Sequence, residues 1–546
     1  MLSSGNYLSN DDISFDGIDF ATTIPLITAG VSYGKTTYAV EKLADRIQEE
    51  TGKQIKSILF LTPNRAILEQ LLKKHSVDKR ISEMGMFEFG EIPCPWRTIS
   101  VACLAKPGLF LEWGNEITYR FDLIVLDECH RQVEWCKSFK NNLLVWDWIR
   151  SILGSTIVVG LTGTPQLLLS DCMHESGLSF ADVCCKMPPK HKANHINVIP
   201  YMTVKTVCSW LLACRKANGA ILIYAKSAKD CYSLSQQLPN AGFIVSRHNS
   251  DVPRGEEKTL AELMDKQIFD GKSLRDFVIE NERVPKEIDY LIINDSCCEG
   301  MNLHDDRIKT VVCESPDIAT IIQVMGRIRG DIETLYVCYA MYRYRNYEKQ
   351  VIQPFERFLD GINEPGYLKC ALDDQESIIA KAQSENKKPK LDIRVYQDRA
   401  GKIHFNPFYK PIIGYEWEMV RRLRNDTSMQ AYFNDSLSGY SPNGVCFLSA
   451  ERIRNELCAA GRNEESSSDL ICLFGLDEAD NKVFSSNELT LIAKRYFIKP
   501  SGKGKAGRKT LLKAIKDHPQ LDYQSLGQRT INGKRATYYE VQKTGG

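Results

Sequence analysis

The chain has 546 residues, 43% of them hydrophobic and 25% charged, an ordinary globular composition with room for about three or four domains. Lys and Arg number 70 against 69 Asp and Glu, so the overall charge of +1 argues neither for nor against a polyanionic partner, and only local clusters can speak. No apolar run reaches the roughly 18 residues of a membrane span, and residues 1–6 lack the basic and apolar regions of a signal peptide, so a cytosolic protein with no membrane partner is expected.

The first stretch that carries chemistry is Ile27-Thr28-Ala29-Gly30-Val31-Ser32-Tyr33-Gly34-Lys35-Thr36-Thr37. Ala29, four residues and then Gly34-Lys35-Thr36 fit the phosphate-loop pattern, with Ala replacing the first Gly. A β-branched run over Thr22–Ile27 leads in as a strand, and a helix is predicted from Thr37, so the small residues fall at a strand-to-helix turn. There backbone N–H groups can cradle an anion, Lys35 can reach the β- and γ-phosphates, and Thr36 can offer its hydroxyl to Mg²⁺, with Gly30 and Thr37 completing the cradle. Taken alone, the same residues would also make a glycine-rich turn that caps a helix.

The first 195 or so residues alternate short buried strands with helical segments, the pattern of a parallel sheet flanked by helices. The strand Ser57–Leu61 runs into Thr62-Pro63-Asn64-Arg65 and a helix. Strand carboxyl ends carry ligands in open α/β sheets, which puts Thr62 and Arg65 on the rim of the phosphate loop. The apolar strand Phe121–Leu126 ends in Asp127-Glu128-Cys129-His130. A carboxylate at such a tip can hold the Mg²⁺ of a nucleotide, and its neighbour Glu128 can orient an attacking water. A further buried strand, Thr156–Leu161, closes on Thr162-Gly163-Thr164-Pro165, whose hydroxyls could couple the nucleotide site to a second surface.

These four stretches, in this order, resemble motifs I, Ia, II and III of superfamily 2 helicases, the DEAD/DEAH-like group. The resemblance extends downstream. Gly219–Ala225 with the helix 226–238 resembles motif IV. Asn294-Asp295-Ser296-Cys297-Cys298-Glu299-Gly300-Met301-Asn302 is similar to motif V, and Gln323-Val324-Met325-Gly326-Arg327-Ile328-Arg329-Gly330 looks like motif VI. It covers roughly residues 22–340 and implies two RecA-like (P-loop NTPase) domains that sandwich ATP. Lys35, Asp127 and Glu128 would face Gln323, Arg327 and Arg329 from the far side, the arginines acting on transition-state charge. Gly300 and Asn302 would join the nucleotide site, Thr62, Arg65 and Ser296 would grip a nucleic-acid strand, and His130, Thr162 and Thr164 would couple the two events. Two departures are plain. No Gln-centred adenine-reading motif precedes the phosphate loop, and motif VI begins with Gln and spaces its arginines two apart, a form closer to the DECH helicases of the Dicer type and some DNA translocases.

The 18 cysteines are scattered, often inside apolar runs, with no Cys-x-x-Cys pair, and read as reduced core residues. Asp171, Cys172, His174, Cys184, Cys185, His191 and His195 have ligand chemistry but no familiar zinc spacing, and the Pro-Pro stretch after Met187 marks a linker with its hinge near residues 190–194. Past 345 a hairpin is predicted over 391–405, with a helix over 415–423 that exposes Arg421, Arg422 and Arg424. In the tail, Ser485 caps a helix, a basic run over 499–509 precedes a second helix, and Asn532-Gly533 joins two strands in a hairpin that carries Lys534 and Arg535. This topology is similar to the winged-helix modules that end phage and plasmid replication proteins, and its charges could neutralise phosphates or only solvate a small domain.

The expected architecture is therefore α/β: two tandem RecA-like parallel-sheet domains (1–190 and 191–345), a mostly helical accessory region (346–480) and a basic winged-helix-like α+β domain (481–546). The expected function is an ATP- and Mg²⁺-dependent helicase or translocase acting on nucleic acid, DNA more than RNA, in phage, plasmid or mobile-element replication or repair. A nucleotide-switched binding protein and an RNA helicase are the alternatives.

Overall fold

In the computed structural model the apolar runs that precede each motif are strands. Those of the first half are β1 (Thr23–Ile27), β2 (Ser57–Thr62), β3 (Arg80–Ile81), β4 (Glu88–Ile92), β5 (Thr98–Cys103), β6 (Leu123–Leu126), β7 (Ile157–Leu161) and β8 (Ser179–Asp182). They form one sheet in the order β3-β4-β5-β2-β6-β7-β1-β8. The pairs from β5 through to β8 are parallel, and β3 and β4 close one edge antiparallel. Side chains alternate across a strand, and here both faces are buried. Ile58 and Phe60 lie in one apolar cluster with Ile27, Val125 and Val159, while Leu59 and Leu61 lie in the other with Leu26, Ile124 and Val158. The structure describes residues 8–30, 33–63, 65–78, 80–81, 88–94, 97–103, 121–184, 191–214, 219–247, 249–253, 255–295, 301–340, 344, 347–384, 393–398, 400–460, 481–490, 512, 515, 521–531 and 534–543.

The second half holds β9 (Ala193–Pro200), β10 (Ala220–Tyr224) and β11 (Ala241–Ile244), a small hairpin of β12 (Ile268–Phe269) and β13 (Lys272–Ser273), then β14 (Tyr290–Ile293), β15 (Ile308–Cys313) and β16 (Ile332–Tyr339). Its large sheet runs β11-β14-β10-β15-β16-β9, every pair parallel. The two sheets fit the tandem RecA-like arrangement. Of the expected hinge at 190–194, Ala193 already pairs with Ile332 in the second sheet, and Lys190 lies outside the described residues.

The region after 345 attaches to both halves. The hairpin of β17 (Val395–Gln397) and β18 (Ile403–Phe405) forms as expected. It leads into the helix Tyr409–Arg422, and Phe408 and Ile412 join Trp146 and Cys136 in the first half's core. The next helix, Asp426–Leu437, sends the Tyr432 hydroxyl to the Pro316 carbonyl at 3.2 Å, and β19 (Val445–Phe447) extends the second sheet beside β9. All of this belongs to one compact unit, residues 1–208 and 216–450.

The other unit comprises residues 209–215 and 451–546. Within it Trp210 Nε1 donates to Glu456 Oε2 at 2.8 Å. Strands β20 (Asn481–Ser485), β21 (Leu521–Ile531) and β22 (Lys534–Lys543) make an antiparallel sheet in the order β20-β22-β21. The Ile531↔Lys534 pairing leaves two residues between the strands, the length that Asn532-Gly533 favours. Ser485 and Glu488 exchange hydrogen bonds, at 2.7 Å from the Ser485 N–H and 3.2 Å from the Glu488 N–H, a capping box that opens the helical residues 486–490. The basic run 499–509 lies outside the described residues.

Candidate nucleotide site

The sheet order places β7 between β6 and β1. The tip of β7, Thr162, thus stands between the acid pair at the end of β6 and the loop that leaves β1. In that loop Gly34 takes a left-handed conformation, φ 74°, and the helix Lys35–Glu41 begins behind it. The Lys35 ammonium reaches back and donates to the carbonyls of Ala29 at 2.7 Å and Gly30 at 3.1 Å. Burial lowers its pKa, the charges of Glu128 and Asp127 oppose that, and Arg327 and Arg329 add to it. The Tyr33 ring would lie 3.4 Å from a Cβ on Gly30, so the loop closes over its own glycine. Thr36 is half-buried, and the Thr37 hydroxyl accepts a hydrogen bond from Lys74 Nζ at 2.8 Å. Val31 and Ser32 lie outside the described residues.

Asp127 is buried, and its pKa is raised, to about 7, first by desolvation and then by the neighbouring Glu128 charge, against the pull of Lys35 and Arg327. Gln132 Nε2 donates to the Asp127 carbonyl at 2.8 Å, which pins the turn. Glu128 occupies the left-handed region, φ 44° and ψ 51°, where a residue with a Cβ is uncommon, and this turns its side chain away from the path of β6.

His130 is fully buried. Its Nδ1 lies 2.9 Å from Thr162 Oγ1, its Nε2 lies 2.7 Å from Gln323 Nε2 on the second half, and the Thr164 N–H donates to Thr162 Oγ1 at 3.0 Å. Arg131 Nη2 donates to Gln323 Oε1 at 2.9 Å and Nη1 meets Glu134 at 2.7 Å. Desolvation, then the positive charges of Arg131 and Lys35, hold His130 well below the ordinary histidine pKa and therefore neutral.

From the second sheet, the helix Ile318–Arg327 brings Gln323 and Arg327, both buried. Arg327 is close enough to act on both Lys35 and Asp127, and its Nε is buried with no hydrogen-bond partner among the described residues. Arg329 is half-buried and hydrogen-bonds Asn302. A parallel bridge between Leu303 and Ile328 sets that pairing, with the Leu303 N–H donating to Arg327 O at 2.8 Å and the Arg329 N–H to Leu303 O at 2.9 Å. Three cations thus gather about two carboxylates, with one buried guanidinium N–H unused, a set that suits a polyanion accompanied by a divalent cation.

Other expected residues stand apart. Thr62 is fully buried at the end of β2, its hydroxyl 3.4 Å from the Ala102 carbonyl, and is closed to a ligand in this conformation. Thr164 joins the site only through its backbone N–H to Thr162; its hydroxyl is buried and has no partner among the described residues. Ser296 and Gly300 lie outside the described residues, as do the side chains of Arg65, Lys534 and Arg535. Sequence reasoning passed over Arg131 and Gln132. Their signal was position alone, directly after the acid pair and its histidine.

No protein-family model matches the chain, and no curated protein does. Solved structures similar to it include the DEAD-box helicase Mss116 bound to ssRNA and UDP-BeF, at 14% identity, covering 75% of this chain and 88% of that one with a TM-score of 0.37. The helicase MrfA bound to DNA is 13% identical, over 71% of this chain and 56% of that one, at 0.34. A S. cerevisiae Dbp5 complex is 12% identical, over 60% and 83%, at 0.32. Likenesses this distant give no residue-by-residue correspondence. Among the described residues no helix is long and apolar enough to cross a membrane.

Proposed function

We propose that the chain is a nucleic-acid-dependent ATPase of the superfamily 2 helicase type, a motor that translocates along or unwinds nucleic acid, with DNA preferred to RNA. One observation carries the reading: Gln323 of the second half hydrogen-bonds His130, three residues beyond Asp127, so the acid pair, the loop lysine and the arginines of two sheets share one site. Gly30, Gly34, Lys35, Thr36 and Thr37 would hold the phosphates, and Thr36 with Asp127 the Mg²⁺. Bound MgATP supplies the phosphoanhydride whose cleavage releases the cleft. Glu128 orients water, Arg327 and Arg329 meet developing charge, and His130, Thr162 and Thr164 pass the closed state to a strand whose phosphates Arg65 and Ser296, rather than the enclosed Thr62, take.

The functional domains are 1–190 and 191–345 for the motor, 346–480 as accessory and 481–546 as a winged-helix-like DNA module. The last assignment is supported by the capping box at Ser485 and the long hairpin that carries Lys534 and Arg535 near its tip. The layout suits replication or repair of phage, plasmid or mobile-element DNA. Hydrolysis rates with single-stranded DNA, duplex DNA and RNA, compared side by side, test the reading. Stimulation is expected with all three and greatest with DNA, and a flat rate across them would overturn it.

A further inference from the structure

We propose that Arg131 is a positioning residue: its guanidinium sets which way the Gln323 amide faces, and through that amide the tautomer of His130, so that closure of the two halves is read at the acid pair. The inference rests on the ATPase reading above. A primary amide has nearly the same shape when flipped, but flipping exchanges its donor for its acceptor. Arginine has no acceptor, so the Gln323 atom 2.9 Å from Arg131 Nη2 is the oxygen. The guanidinium cannot swing freely, because its other terminus meets Glu134 at 2.7 Å on the same helix, and the two side chains are only 12% and 23% exposed.

With its oxygen engaged, Gln323 turns its NH₂ toward His130 Nε2 at 2.7 Å, which must accept. The proton of the neutral imidazole then sits on Nδ1 and is donated to Thr162 Oγ1 at 2.9 Å. Thr162 also takes the Thr164 N–H, so a one-way chain of donors runs from Arg131 across the second half's Gln323 and back to the tip of β7. Without Arg131 the amide is free to turn over. His130 can then carry its proton on Nε2, and an unprotonated Nδ1 is left 3.6 Å from the Glu128 carboxylate. Arginine is suited to this role because two donors of one planar fork serve Gln323 and Glu134 at once, which a lysine ammonium does less well.

A double-mutant cycle on the full chain tests this, with Arg131→Ala, Gln323→Ala, the two combined, and Arg131→Lys as the conservative variant. Alone, Arg131→Ala is expected to lower kcat of polynucleotide-stimulated ATP hydrolysis about tenfold with the KM for ATP little changed, and Arg131→Lys to recover part of that. In the Gln323→Ala background the same change should cost less than about twofold. Equal losses in both backgrounds overturn the proposal, and so does a loss carried by KM alone. Thermal melts of the four cycle proteins, without nucleotide or nucleic acid, separate this from failure of the functional reading. Non-additive shifts in Tm support the orienting contact even if the wild-type chain hydrolyses no ATP, and additive shifts overturn it.

Discussion

Glu128 holds a left-handed backbone that costs a residue with a Cβ about 1–3 kcal/mol, and the surrounding turn, with Gln132 clamped to the Asp127 carbonyl, keeps it there. Strain of this kind aims a side chain, and here it sets a carboxylate that is 18% exposed beside one that is buried. Glu128 and the lysine should therefore fail in different ways. Lys35→Ala is expected to abolish hydrolysis and weaken nucleotide binding at least tenfold, whereas Glu128→Gln should keep ATP bound and stop turnover. Fluorescent-nucleotide titration beside a hydrolysis assay separates the two, and Glu128→Gln turning over at the wild-type rate would sink the role given to it. A structural carboxylate makes a useful contrast. Buried Asp305 accepts from the Val284 N–H, the Arg307 N–H and the Arg307 guanidinium, with the last at 2.7 Å. Burial raises its pKa, but these bonds and the Arg307 charge win and hold it below the ordinary range. A depressed carboxylate pKa contributes stability that is present above the unfolded value near pH 3.9 and is lost as pH falls through the folded one. Asp305→Asn should thus cost about 2 kcal/mol at pH 7, and melts repeated at falling pH should show the gap to wild type closing below about pH 4.

Elements carry the site only as well as they pack. A Cβ on Gly160 of β7 would lie 2.6 Å from Leu26 Cδ2 and 3.1 Å from Cys129 Cβ, and both neighbours are fully buried with nowhere to move. Gly160→Ala should therefore destabilise the fold by about 1–3 kcal/mol. Because Cys129 opens the helix that bears His130, it should also depress hydrolysis by more than the unfolded fraction explains. An unchanged Tm would show that β7 and that helix have slack. The same packing explains what was legible. Strands β2, β6, β7, β10 and β14 are buried on both faces along nearly their whole length, so they read as apolar runs, and the turns after them read as ligand rims. Glu88–Ile92 carries two glutamates and a glycine at the antiparallel edge, and Ala193–Pro200 mixes His195 and Asn197 with its apolar residues and ends in proline, so neither announces a strand. At the site, the loop and the acid pair could be read from the residues themselves, whereas the arginines were expected only from the resemblance to the helicase motifs. The hold of Arg131 on Gln323 could not be read, because a charge after an acid pair looks like a solvated helix face until the second sheet is in place. Nor could the tie from Arg329 to Asn302, which depends on a bridge between Leu303 and Ile328 that no periodicity marks.

Across the molecule, the two α/β halves meet through His130 and Gln323 and are joined again by consecutive helices, one rooted in the first half's core and the next against Pro316 of the second. The motor proposed above requires these halves to open and close about the nucleotide while the helices keep them joined. A translocase should displace a paired strand or a bound roadblock when given ATP, and ATP-dependent binding without displacement at either overhang polarity would favour a switch. The tail allows a separate test, because every described residue of the nucleotide site belongs to the first compact unit while residues 481–546 belong to the other. Cutting before Asn481 removes β20, β21 and β22 together and leaves no orphan strand from that sheet. Such a truncation should leave basal hydrolysis largely intact and weaken binding to duplex DNA. Each phosphate contact releases counterions, so log affinity falls with log salt at a slope of about 0.9 per contact, and the truncated chain should show the shallower line. Reversing charge at Lys534 and Arg535, which open β22, should reproduce part of that change, about one to two contacts' worth of slope. If affinity and slope for duplex DNA are both unchanged after truncation, the tail is a solvated cap or a protein-docking module, and the preference for DNA over RNA loses its main support.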